Sequence, residues 1–290
     1  MELLNIEEFN EEYLNLCESI QNALTELKDL TGKDVVFRMV NQSEAVGYFK
    51  LKIKLARNFM KEHIIVINTD RIKDRDELNY YIVHEIMHGL RTFNASPNDR
   101  KILSSDDARS SEILENIIST MDKELLSALD MNTLRAYCNN LLLNTNLVLF
   151  NSSVDARIEL GIYEKYPELR NLQKKVQKEY LKELLAGFVN KDARKHTPSW
   201  ILDRVNLMNY CYMKKITSII GKAWTSKVNG VIDDNFKDIV SKMMYYLDKD
   251  DLGQISDNET ILEWSKILGM DGYTQLIDFE SVPYNYVLSN

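Results

Sequence analysis

The sequence is poor in the residues that most folds use for tight turns and covalent staples. Ten glycines and four prolines in 290 residues argue against a turn-rich all-β fold and for long helices. Three cysteines, Cys17, Cys138 and Cys211, lie far apart, form no Cys-x-x-Cys and leave one over from any pairing. That excludes a disulfide framework and points to buried thiols in a reducing compartment. No apolar run approaches the 18 residues of a membrane span. The first residues, Met1 to Tyr13, are acidic and lack the basic and apolar regions of a secretory signal, so a cytoplasmic protein with no membrane association is expected. Positive charge is also short. The net charge of -8 leaves no general excess to neutralise phosphates, which excludes general nucleic-acid binding while leaving room for a local basic patch.

Histidine is scarce too, and that makes its distribution informative. Of four histidines, two fall in His84-Glu85-Ile86-Met87-His88. Chance would place His-Glu-x-x-His in roughly one chain in a few hundred of this composition, so incidental surface histidines are the weaker explanation. On a helix, positions i and i+4 lie one above the other, so His84 and His88 point the same way and can share one Zn²⁺. Glu85 sits about 100° round the helix, beside the ion, where it can take a proton from water. The flanks agree. Asp74-Arg75-Asp76-Glu77 has the form of a capping box and predicts a helix start. Leu78, Ile82, Ile86 and Gly89/Leu90 make a core-facing stripe that leaves the histidines on an adjacent face.

Upstream, the spacing predicts a helix over 6–31 ended by Gly32, then strands at Val35–Val40, Gly47–Leu55 and Ile64–Asn68. In Gly47–Leu55, Lys50, Lys52 and Lys54 alternate with apolar residues and read as a solvated face. Residues 94–110 are polar and read as a loop next to the cleft. Beyond 108 the pattern is helical. One stripe is Ile113, Ile117, Met121 and Leu125, and another is Leu134, Cys138, Leu141/Leu142 and Leu149. Pro167 opens a helix whose inner face is Leu169, Leu172, Val176, Tyr180 and Leu184. Further helices are expected at 199–222, 233–248 and 257–268, the last ending at Gly269. The expected class is α+β: a small N-terminal sheet packed on the His-Glu-x-x-His helix, then a mostly helical half. Two regions are expected, 1–165 and a helical 166–290 that is either separate or part of the same domain.

Two histidines leave a catalytic zinc site short of a ligand, since three protein groups plus water is usual. His63 on a strand and His196 in a polar turn read as ordinary histidines. The better candidates are Asp155 and Glu159, one turn apart beside the apolar positions Val154, Ile158 and Ile162. Buried-edge carboxylates are costly unless paired or bound to metal. Glu159 is favoured as ligand with Asp155 orienting it, and the reverse is the alternative. A bland reading has Arg157 and nearby lysines pairing with both on a solvated face. Glu112 and Glu115 are the runner-up. Tyr163, and behind it Tyr166 and His196, are candidates to stabilise an oxyanion.

These residues carry a resemblance. His84-Glu85-Ile86-Met87-His88 on a helix after a short sheet resembles the zincin metallopeptidase superfamily. An acidic ligand on a later helix places it on the gluzincin-like side. The metzincin extension is absent, because Gly89-Leu90-Arg91-Thr92-Phe93-Asn94 brings no further histidine. The helix–sheet–helix order is also similar to bacterial and phage ImmA/IrrE-type peptidases, in which the acidic ligand follows the motif more closely. The resemblance covers about residues 1–165. It implies Zn²⁺ held by His84 and His88, Glu85 as general base, a protein or peptide substrate, and an edge strand, Gly47–Leu55 or Ile64–Asn68, pairing with that substrate. Competing readings are a non-catalytic zinc-binding regulatory protein with a helical docking half, and hydrolysis of a non-peptide bond.

Overall fold

A computed structural model describes residues 8–9, 17–41, 49–105 and 110–281. The chain is α+β, with a small N-terminal sheet and a mostly helical C-terminal half. It divides into two compact units. One comprises residues 1–101, 161–176 and 278–290, and the other 102–160 and 177–277. Among the described residues no helix is long and apolar enough to cross a membrane.

In the first unit, helix α1 (Glu18–Thr31) buries Ile20, Ala23, Leu24 and Leu27. It stops at Gly32, whose φ of 69° is a left-handed value that suits glycine, and whose N–H bonds the Lys28 carbonyl. The four-stranded sheet has the order β1 (Glu8–Phe9), β2 (Asp34–Val40), β4 (Glu62–Asn68), β3 (Leu51–Lys54). β2 and β4 are parallel, and the β1–β2 and β3–β4 pairs are antiparallel. The central position of β4 accounts for its unbroken apolar run, because both faces are covered. Glu8 and Phe9 form a strand where the spacing predicts the first turn of a helix. Two residues are too few to show alternation, and pairing to Arg38 and Phe37 sets them. The rest of that helix before Cys17, and Gly47 and Tyr48 of the expected strand, lie outside the described residues.

Helix α2 (Arg75–Asn94) carries the histidine pair. Asp74 caps it, its Oδ1 accepting from the Glu77 N–H at 2.8 Å. Glu77 completes the box one residue early, its Oε2 accepting from the Lys73 N–H at 2.7 Å. The stripe that buries is Tyr80, Ile82, Val83, Ile86 and Leu90, with Leu78 only half-buried. Full burial of one such side chain stabilises by about 1.5–3 kcal/mol. At Gly89 a Cβ would come within 3.1 Å of both Leu27 Cδ1 and Leu55 Cδ2. Glycine here lets the helix lie close to α1 and to the chain just after β3.

The second unit begins with a departure from the expected loop. Lys101–Ser105 is strand β5, paired with β6 (Thr274–Asp278). Helices α3 (Ser110–Ser119), α4 (Lys123–Ala128) and α5 (Met131–Lys165) follow. Ile113, Ile117, Met121, Leu134, Cys138 and Leu142 form one buried cluster with Ile201. α5 runs through both units, which change over between Leu160 and Gly161. Pro167 starts a short 3-10 turn leading into α6 (Arg170–Phe188). The inner face of α6 is Gln173, Val176, Gln177 and Leu181, and Tyr180 is exposed. Helices α7 (Lys191–His196), α8 (Ser199–Ile220), α9 (Lys222–Asn229), α10 (Lys237–Leu247) and α11 (Gln254–Ile267) complete the unit. Gly269 follows α11 at φ 62°.

Candidate metal centre

The capped, three-sided burial of α2 leaves one half-buried face, which presents Tyr81, His84, Glu85 and His88. The rings of His84 and His88 lie 5.1 Å apart between centroids at 71°. This is the arrangement expected of two imidazoles one turn apart.

The third group comes from α5. His84, His88 and Asp155 each offer one ligand atom, and these atoms all lie within 4.8 Å of one another. Two imidazole nitrogens and one carboxylate oxygen suit a divalent ion such as Zn²⁺, whose bonds run at about 2.0–2.2 Å. In its donor types the set fits the ion.

Asp155, and not the favoured Glu159, is the carboxylate in this group. Glu159, one turn further along α5, is not in it. Glu159 is buried. It lies near Tyr212, whose phenol is pushed well up by burial first and then by the charge of Glu159. Tyr212 donates to Gln177 Oε1 at 2.7 Å. Arg157 is not on a solvated face. It is buried, with Nη1 3.6 Å from Asp257 Oδ1 and Nη2 donating to the Tyr246 carbonyl at 2.7 Å.

Glu85 meets the sheet edge. Its Oε2 accepts the Ile53 N–H of β3 at 2.8 Å. β3 is the last strand in the sheet order and β4 is interior, so the edge falls within Gly47–Leu55 and not at Ile64–Asn68. A backbone bond shows the register: the Asn68 N–H donates to the Lys50 carbonyl at 2.9 Å. Ile53, three residues on, therefore turns its N–H away from β4.

The lysines of this strand are not a solvated face. Lys50, Lys52 and Lys54 are all half-buried. Lys50 Nζ donates to Glu77 Oε1 and to the Tyr81 hydroxyl, each at 2.9 Å. Burial pulls its ammonium down, but the hydrogen bonds to Tyr81 and Glu77 prevail and hold it above the ordinary lysine range. Burial lowers Lys54 to about 8, helped by Lys52 and Arg38. Arg38 and Lys52 are both in register with Val66, one on each side.

His63 is fully buried: its Nδ1 accepts the Ala56 N–H at 2.9 Å, and Nε2 lies 3.0 Å from Thr31 Oγ1. His196 is exposed at the end of α7. The Tyr163 ring lies under the Arg170 and Lys174 cations, at 4.8 and 5.4 Å, and Tyr166 is buried. Glu112 and Glu115 are exposed, and among the described residues neither joins a group able to hold a metal. Cys17, Cys138 and Cys211 are free thiols. Lys50, Ile53 and Tyr81 escaped notice as site residues. For Tyr81 a signal exists: it stands one turn before Glu85 on the same face.

Compared with known proteins, the chain matches no family model, no curated protein and no solved structure.

Proposed function

We propose that this protein is a zinc-dependent metallopeptidase of the zincin type, acting on a protein or peptide in a reducing, cytoplasmic compartment. One observation carries the reading: Asp155 joins His84 and His88 within ligand distance of one another, with Glu85 next to His84 on the same helix. When bound, the ion supplies Lewis acidity that polarises a carbonyl and acidifies water. His84, His88 and Asp155 are its ligands. Glu85 is the general base, taking a proton from the attacking water and giving it to the departing amine. The small sheet, packed beside α2, contributes β3 as the edge on which an extended peptide lies by main-chain hydrogen bonds. The Glu85 carboxylate already occupies one outward N–H of that edge, so it stands where the scissile bond would be presented.

The test is the Glu85→Gln variant. Zinc-loaded wild type should cleave members of an unbiased peptide pool read by mass spectrometry. E85Q should bind zinc with unchanged stoichiometry and lose at least a hundredfold in rate, as removal of a general base does. Full activity in E85Q, or a chain that takes up no zinc, overturns the reading.

A further inference from the structure

Lys50 is tied to α2 in a way that leaves hydrogen-bond donors over. An ammonium carries three N–H donors and no lone pair. Two of the Lys50 donors go to Glu77 Oε1 and the Tyr81 hydroxyl, both at 2.9 Å, which leaves a third. Since Lys50 can only donate, its bond to Tyr81 uses a phenol lone pair and leaves the phenol proton to be given to another acceptor. Glu77 is committed on both oxygens, to Lys50 and to the Lys73 N–H, and its side chain is 6% exposed. The Lys50 side chain is 35% exposed, so its ammonium is reachable from solvent.

Their position ties them to the metal centre. Tyr81 precedes His84 by three residues and Glu85 by four, which places it on the same face of α2 one turn nearer the N-terminus. Lys50 precedes Ile53 by three residues, and Ile53 is the residue whose N–H meets Glu85. Both donors therefore stand along the seam of α2 and β3, next along from Glu85. Burial raises the Tyr81 phenol above its ordinary range, against the pull of Lys50, so it keeps its proton at neutral pH.

Resting on the peptidase reading, we propose that Lys50 and Tyr81 form a carboxylate-binding subsite that selects an acidic side chain or a free C-terminal carboxylate close to the scissile bond. One N–H and one O–H match the two oxygens of a carboxylate.

The experiment uses the zinc-loaded full chain and a peptide series in which each position near the cleaved bond carries Glu or Gln, with the C-terminus as acid or amide. The wild type should prefer one carboxylate over its amide at least tenfold in kcat/KM, and the position at which the preference falls separates side chain from chain end. Tyr81→Phe should reduce that preference severalfold. Lys50→Met combined with Glu77→Gln, which leaves no buried carboxylate alone, should abolish it, read as the ratio of acid to amide peptide. Zinc-loaded E85Q should show the same order in peptide binding by fluorescence anisotropy. Cleavage with no carboxylate preference, or a preference that survives both substitutions, overturns the subsite and leaves the peptidase reading standing. Carboxylate-selective binding to E85Q without any cleavage by the wild type upholds the subsite and overturns the peptidase reading. Neither binding nor cleavage overturns both.

Discussion

The Ile53 N–H donates to Glu85 Oε2 across 2.8 Å, joining the outer edge of β3 to the residue between the two histidines. A carboxylate on a long side chain is otherwise mobile, and a hydrogen bond to a charged group is worth about 1.5–3 kcal/mol. Ile53→Pro removes the donor at an edge position where the sheet ladder does not use it. We expect kcat for peptide cleavage to fall roughly tenfold or more, with zinc affinity unchanged within about twofold, since the donor acts on Glu85 and not on a ligand. Parallel loss of zinc in that variant would mean the contact merely holds the fold.

Asp155 and Glu159 make opposite predictions for metal binding. Asp155→Ala removes one of three ligands and should weaken zinc affinity by about a hundredfold or more in chelator competition. Glu159→Gln keeps its shape in the buried position beside Tyr212 and should change zinc affinity by less than about threefold. A loss in the Glu159 variant as large as in the Asp155 variant would return Glu159 to the ligand set.

His63 should make folding stability depend on acid. Its Nδ1 accepts from Ala56, so the proton sits on Nε2 and points to Thr31 Oγ1, which itself donates to the Leu27 carbonyl. Burial first, then the nearby Lys33 charge, lowers it to about 4. The unfolded chain, with an ordinary value of 6.5, binds more protons between those two values. Stability contributed by the neutral ring is therefore complete above about pH 6.5 and lost as pH falls toward 4, amounting to about 3 kcal/mol. Urea denaturation at pH 7 and at pH 4.5 should show the drop in wild type, and His63→Asn should flatten it. An unaltered pH dependence in the variant would assign the drop to other groups.

Arg157 and Asp257 form an ion pair whose side chains are 3% and 2% exposed. Removing one partner strands a charge in the interior. Asp257→Ala should cost about 3–5 kcal/mol by chemical denaturation, whereas the double change Arg157→Met, Asp257→Leu should be much milder. A single variant as stable as wild type would show that the pair is solvated in solution.

What the sequence by itself determined is what short-range chemistry dictates. The Asp74–Glu77 cap, the apolar stripe through Ile82, Ile86 and Leu90, and the placing of His84 and His88 one above the other all follow from helix periodicity within a few turns. The apolar run of β4 and the stop at Gly32 are equally local. Tertiary structure decided whatever depends on distant chain. Strands β1, β5 and β6 are short and lack a clear period, so they exist by pairing. Lys50 looked solvated because strand alternation says which face a residue takes, but not that an edge lysine reaches Glu77 on a helix 27 residues on. Asp155 and Glu159 share one helical edge, and a 3.6-residue period cannot say which turn meets the histidines. That choice rests on which ligand atoms come together in space, because a metal ion selects atoms by distance and not by sequence spacing.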